Sequence, residues 1–196
     1  MSDHLRVGVL SFQGDFARHA ARLEELGAVV VSVRTPEAIS QIDGLVIPGG
    51  ESTTIGMLMD RFGLLETARK AAREGLPIFG TCAGAILLAK EIRNSHQPRL
   101  ALMEMEVERN AYGRQVESFE ATFTSELFAE EPLRGVFIRA PIIRSVREPV
   151  EVLASYEDLP VVVRQGALLA ATFHPELTDD PRLHAYFLGM IRRPPC

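Results

Sequence analysis

Residues 77–84 read Pro77-Ile78-Phe79-Gly80-Thr81-Cys82-Ala83-Gly84, and their reading decides the fold. Pro77 to Thr81 is a short β-prone strand, and Ala83 to Ile92 reads as a helix beginning at once. A cysteine between them sits on a strand–turn–helix, the layout of a nucleophile elbow with Cys in place of Ser. Chemistry accounts for the glycines. A side chain lifted clear of the sheet on so sharp a turn occupies a strained backbone region, and small neighbours relieve the crowding. The helix N-terminus offers free N–H groups and a favourable dipole to a thiolate. The N–H of Ala83 is then an oxyanion donor. A lone Cys82 would also fit inert packing, since free cysteine is among the most buried residue types. The flanking Gly80 and Gly84 favour the nucleophile.

Upstream of the elbow, strands and helices alternate. Leu5 to Phe12 is apolar and β-prone, broken by Gly14. Asp15 to Leu26 carries Phe16, Ala20, Leu23 and Leu26 at helical spacing, with Gly27 as a stop. Val29 to Val33 reads as a buried parallel strand, and Gly44 to Ile47 as another. Thr53 or Thr54 can cap a helix to about Arg61, and Leu65 to Glu74 forms the next. This order predicts a parallel sheet covered by helices on both faces. Downstream, 102–109, 117–124, 134–140, 150–156, 160–164 and 168–173 are strand candidates, expected to form a mixed sheet that partly extends the first. Pro181 to Ile191 is a closing helix, and Arg192 to Cys196 a frayed tail.

Two further stretches carry chemistry. In Phe173-His174-Pro175-Glu176, the proline holds His174 out of helix, and in extended chain residues two apart share a side. Glu176 can then fix the tautomer of His174, leaving the other ring nitrogen to take a thiol proton. Alone, the same tetrapeptide reads as a surface turn. His4, His19, His96 and His184 have no such partner nearby and are expected at the surface. Pro48-Gly49-Gly50-Glu51-Ser52-Thr53 follows a strand, and an N–H of Gly49 or Gly50 can pair with that of Ala83 around an oxyanion. The loop lacks the lysine and spacing of a phosphate loop. A plain tight turn is the simpler reading of it in isolation.

The 196 residues suit a single domain, 1–196, large enough to bury roughly 70% of its unfolded surface without disulfides or a structural metal. A net charge of −5 argues against nucleic acid, which needs surplus Lys and Arg. Two dissimilar thiols, Cys82 and Cys196, fit a reducing compartment. The start, Met1 to Arg6, lacks the marks of a signal peptide, and no apolar run spans a membrane. A cytoplasmic location is expected. No Cys/His cluster has zinc spacing, and neither metal nor cofactor is expected.

Gly80-Thr81-Cys82-Ala83-Gly84 with a late His174-Pro175-Glu176 resembles the class I glutamine amidotransferases. Pro48 to Thr54, Val107 to Asn110, Phe137 to Pro141 and Phe173 to Asp180 narrow the likeness to the glutaminase subunits of pyridoxal 5′-phosphate synthases, over about Val7 to Met190. The resemblance implies a flavodoxin-like three-layer α/β fold, with a mostly parallel central sheet and an antiparallel extension in the second half. It implies a Cys82–His174–Glu176 triad cutting the side-chain amide of L-glutamine through a γ-glutamyl thioester. It implies glutamine held by Gly50, Glu51, Ser52, Arg109, Ile138 and Arg139, with Gln13 supporting the oxyanion loop. Arginine is suited to gripping the substrate carboxylate, although Arg109 and Arg139 also read as surface ion-pair residues. Ser11-Phe12 precede Gln13 where the family pattern has small aliphatics. The implied partner is a (β/α)₈-barrel synthase subunit that consumes the ammonia to build pyridoxal 5′-phosphate (vitamin B6). The rival readings are a glutaminase of another pathway, a cysteine peptidase or deglycase of similar architecture, and a regulatory subunit with a degenerate site.

Overall fold

Five apolar segments set the frame, in a computed structural model that describes residues 4–109, 118–125, 128 and 131–192. They are β1 (Arg6–Leu10), β2 (Val29–Val33), β3 (Gly44–Ile47), β4 (Ile78–Thr81) and β12 (Leu168–Ala171), all running parallel. Two more strands, β10 (Glu151–Tyr156) and β11 (Leu159–Gln165), complete a seven-stranded sheet ordered β10-β11-β12-β4-β3-β1-β2. Only the β11 pairings are antiparallel. Read from the other edge, β2-β1-β3-β4-β12 is the strand order of a flavodoxin-like doubly wound sheet.

The central strands bury both faces, so side chains alternate between two cores. Leu45, Ile47, Ile78 and Ala170 point to one, with α3 (Ser52–Arg61), α4 (Leu64–Arg73) and α5 (Ala83–Leu88). Val46, Phe79, Leu169 and Ala171 point to the other, with α1 (Phe16–Glu25) and α6 (Arg182–Arg192). Three layers result. A short α2 (Pro36–Ile39), started by Pro36, fills the turn between β2 and β3.

The second half supplies the expected antiparallel extension through β10 and β11. Of the second-half strands, β10, β11 and β12 join the main sheet, and the others fall in two smaller sheets. Met103–Glu108 (β6) pairs instead with Ala89–Ile92 (β5) and Ile142–Val146 (β9) in a three-stranded sheet. Ser118–Phe123 (β7) and Leu133–Ile138 (β8) form a separate hairpin sheet. The expected helix over Ala83 to Ile92 stops at Leu88, because Ala89 turns extended (ψ 137°) and pairs with Met103. Neither β5 nor β9 is apparent from local pattern. Each finds its strand partner in β6, beyond the reach of local propensity. The helix after β3 begins at Ser52 and is capped by Glu51 rather than by Thr53 or Thr54. Arg192, expected to begin a frayed tail, instead closes the last helix, while Asn110 and residues 193–196 fall outside the described residues.

The β7–β8 sheet is fixed by aromatic packing. Phe119 stacks on Phe137 at 4.7 Å, and Phe137 and Phe123 both pack on Phe173. The next residue, His174, donates its backbone N–H to Val136 at 2.8 Å. The hairpin thus holds the chain where β12 ends.

Candidate active site

Four neighbouring parallel strands deliver four loops to one edge of the sheet. β1 ends before Gln13-Gly14, β3 before Gly49-Gly50, β4 before Cys82 and β12 before His174. In doubly wound sheets, ligands bind at the carboxyl ends of the strands, where the order reverses. A cavity of about 270 Å³ lies here, lined by Gly14, Asp15, Gly49, Gly50, Glu51, Ser52, Cys82, Ile86, Arg109, Ile138, Arg139 and His174. A larger groove, about 620 Å³, lies around Pro36, Thr67, Glu74 and Ile191. It has no cysteine or histidine on its walls, so the smaller cavity is the chemical one.

Cys82 has φ 48° and ψ −101°, a backbone that L-residues rarely adopt. The sequence tolerates it through close approaches that exclude side chains. A Cβ on Gly80 would fall 2.5 Å from the Gly84 backbone, and one on Gly84 would fall 2.1 Å from the Ile47 carbonyl oxygen. Cys82 N–H donates to Ala171 at 2.8 Å, anchoring the turn to β12. Ala83 opens α5, and a first-turn N–H has no intrahelical acceptor.

His174 is 8% and Glu176 4% exposed. His174 Nδ1 lies 2.7 Å from Glu176 Oε1, and its ring lines the same cavity as Cys82, whose Sγ is 3.9 Å from the Ile138 carbonyl oxygen. The pairing is as expected but its backbone is not. Pro175 starts a 3₁₀ turn, Pro175–Leu177, instead of continuing extended chain. Burial pushes the His174 imidazole down. Contacts with Cys82 and Glu176 outweigh it and carry the pKa up to about 10. Glu176 is likewise pushed up by burial, then brought well below the carboxylate range by the adjacent His19 and the bond from His174. Gly49 must be glycine, since a Cβ there would meet His174 Cε1 at 2.3 Å.

The opposite wall is a polar arm. Arg109, just past β6, places Nη2 3.0 Å from Glu51 Oε1 and Nη1 2.9 Å from Thr53 Oγ1 and 2.7 Å from Gln97 Oε1. Ser52 Oγ donates to the same Gln97 oxygen at 3.3 Å. Burial raises the Glu51 carboxyl, but the N–H and hydroxyl of Thr54 and the N–H of Thr53 bring it down to about 2. Gln13 Oε1 accepts from the Glu51 N–H at 3.3 Å, so it braces the glycine loop. Ile138 is 37% exposed and Arg139, with φ 43°, is exposed at the rim. Phe12 stacks on Phe62 at 5.5 Å, which accounts for the bulky residue before Gln13.

Cys82, His174, Gly49, Gly50, Glu51, Ser52, Arg109, Ile138 and Arg139 therefore share one cavity, with Ala83, Glu176 and Gln13 behind its wall. A profile of the SNO glutamine amidotransferase family matches residues 9–193. The chain belongs to this family. As an SNO-family glutamine amidotransferase it is 55% identical over 187 residues to a protein of Moorella thermoacetica named pyridoxal 5′-phosphate synthase subunit PdxT, covering 95% of this chain and all of that one. A crystal structure titled as a glutamine amidotransferase, 54% identical, superposes with a TM-score of 0.91 over 95% of this chain and 98% of that one. The PurLQS structure from Thermotoga maritima is 16% identical. It shares the fold with a TM-score of 0.70, over 96% of this chain and 99% of that one.

Residues missed from sequence also belong to the site of this family member. Gly14, Asp15 and Ile86 line the cavity, and Gln97 is the hub of the polar arm. The expectation that His19 and His184 lie at the surface is overturned, since both are fully buried, while His4 and His96 are exposed. Both buried histidines sit on the apolar stripes of their helices, beside Leu23 and Phe187. That position was the available signal. Among the described residues no group of three or more His, Cys, Asp or Glu is arranged to hold a metal ion, and no helix is long and apolar enough to cross a membrane.

Proposed function

We propose that the chain hydrolyses L-glutamine to L-glutamate and ammonia, as the glutaminase subunit of a pyridoxal 5′-phosphate synthase. The observation that carries this reading is the His174 ring, paired with Glu176, sharing one cavity with Cys82 at the carboxyl edge of the sheet. The PdxT names of relatives near 55% identity support the pathway over a histidine- or nucleotide-synthesis glutaminase.

Cys82, its thiol proton passed to His174, attacks the δ-carbon of the glutamine amide as thiolate, and the carbonyl π pair moves onto oxygen. N–H groups of Ala83 and the Gly49-Gly50 loop receive the oxyanion. As it collapses, the C–N bond breaks and His174 gives the nitrogen its proton, releasing ammonia and leaving a γ-glutamyl thioester. Water, deprotonated by His174, attacks the thioester and frees glutamate and the Cys82 thiolate. Glu176 keeps the imidazole oriented and stabilises its cation. A row of carbonyl, N–H and guanidinium groups from Gly50, Glu51, Ser52, Arg109, Ile138 and Arg139 holds the amino-acid end. Arg109 takes the carboxylate in exchange for part of its bond to Glu51.

Ammonia is mostly ammonium in neutral water and then no nucleophile, so the product is useful when passed directly to an acceptor. The partner is a (β/α)₈-barrel synthase subunit, and the whole chain acts as one domain in a cytoplasmic complex. Mixing the chain with such a subunit, glutamine, a pentose phosphate and a triose phosphate yields pyridoxal 5′-phosphate and faster glutamate release. Equal glutamate release with and without the subunit, and no product, rejects the pairing.

A further inference from the structure

Behind Glu176 lie two histidines that the chemistry above does not use. His19 on α1 and His184 on α6 are both 0% exposed. They stand in series. His184 Nε2 is 2.9 Å from His19 Nδ1, and His19 Nε2 is 3.1 Å from Thr81 Oγ1 and 3.2 Å from Glu176 Oε2. Phe79 meets both rings edge-on and walls the row with apolar surface. Buried polar groups in such a setting are costly unless each finds a partner.

One orphan atom places the protons. His184 Nδ1 is buried with no hydrogen-bond partner among the described residues. A proton there would be an unpaired buried donor, costlier than a bare lone pair. The His184 proton therefore sits on Nε2 and is donated to His19 Nδ1. His19 must then carry its own proton on Nε2, facing β4 and the 3₁₀ turn. The N–H is directed at Thr81 Oγ1, while Glu176 Oε2 lies 3.2 Å from the same nitrogen, outside hydrogen-bond geometry and with no hydrogen-bond partner among the described residues. Burial and then the neighbouring His19 bring His184 down to about 3, against weaker opposing effects of Glu176 and Asp180 and with Arg22 adding to the fall. A neutral His184 fits this proton order.

We infer that His19, backed by His184, is a positioning residue for the reaction. Its Nε2 side hydrogen-bonds Thr81, the residue immediately before the nucleophile, and packs at 3.2 Å against the carboxylate that orients His174. One side chain thus joins the two strand ends, β4 and β12, whose spacing fixes the Sγ-to-imidazole geometry. The inference rests on the Cys82–His174–Glu176 reading.

The test is glutaminase turnover in the complex with the synthase subunit, for wild type, Cys82→Ala, His19→Leu, His19→Gln and His184→Leu. Glutamine at 19 carries an amide nitrogen near the place of Nε2. His19→Leu is expected to lose about 10- to 100-fold in kcat with KM within about twofold, the usual scale for a partner that orients a reacting group. His19→Gln recovers most of it, and His184→Leu falls between. Iodoacetamide labelling of Cys82 reads the same pair without turnover, and its pH midpoint rises in His19→Leu. Unchanged kcat per labelled site, with only a lower melting temperature, makes His19 a packing residue and overturns the inference. No glutaminase in wild type, or full activity in Cys82→Ala, overturns the triad reading instead. Should His19→Leu not fold, His19→Asn, polar but too short to reach Thr81 and Glu176, takes its place with the same outcomes.

Discussion

The two walls of the cavity are built on opposite plans. The sulfur-and-imidazole wall is buried and stands at strand ends, with Cys82 6% and His174 8% exposed. The arginine wall is half exposed, and Arg109 comes already paired with Glu51. Low dielectric on the first wall lets short contacts move His174 to about 10. On the second, water screens the Glu51–Arg109 pair, and exposed pairs of this sort are worth at most about 1 kcal/mol. The difference teaches a division of labour. One wall buries its charges in fixed contacts, while on the other, in the proposed reaction, Arg109 exchanges the Glu51 carboxylate for that of the substrate at small cost.

The largest effect expected is on the buried wall. Cys82→Ala lowers kcat by about 10⁴-fold or more, since members of such a unit fail together, and Glu176→Gln costs less because it orients and does not react. The alanine variant also tests the electrostatics. It removes the contact that lifts His174 and leaves burial, so the imidazole pKa falls from about 10, as NMR titration of the ring would record. A His174 pKa that stays put would mean that Glu176 alone sets it. Gly49→Ala comes next. Its methyl displaces the His174 ring, and kcat falls about 100-fold for a shift near 1 Å, with little change in melting temperature.

Smaller effects belong to the exposed wall. Arg109→Gln raises KM about tenfold and leaves kcat within about threefold, the low end for a charged hydrogen bond because Glu51 already competes for it. A matching fall in kcat would erase the contrast between the walls. Glu51→Ala removes the cap of α3 and lowers stability by about 1 kcal/mol, or about 2–4 °C in melting temperature for a chain this long. Its pH dependence has a definite sign. The folded carboxyl, held at about 2, lies below its ordinary value of 4.5, so the unfolded chain binds the extra proton. The gap between wild type and Glu51→Ala is therefore full above about pH 4.5 and closes as pH falls toward 2. Melts across that range check it.

The central sheet and the elbow were legible because each is dictated within a few residues. Val29 to Val33 reads as a strand from its valine run alone, although the expected burial fails because it forms the sheet edge and only Val33 is buried. Gly80 and Gly84 leave room only for a tight turn around Cys82. His174 and Glu176 were legible as a pair, although Pro175 brings them together through a 3₁₀ turn and not through extended chain. What stayed hidden depends on distant partners. Ala89 to Ile92 becomes a strand because Met103 to Val107 lies beside it. His19 is 165 residues from His184 and 157 from Glu176, and nothing near it in sequence announces either. Gln97 is hidden for the same reason, as its partners Ser52, Thr53 and Arg109 come from two other segments.

The contact between Gly84 and the Ile47 carbonyl works as a gauge block. Backbone rests on backbone there, with no side chain between them whose size could vary. The separation of the sulfur from the Gly49-Gly50 peptide is therefore set by covalent geometry on both sides of that seat. Exchanges among the surrounding leucines and valines can change how firmly the protein holds together without changing that dimension.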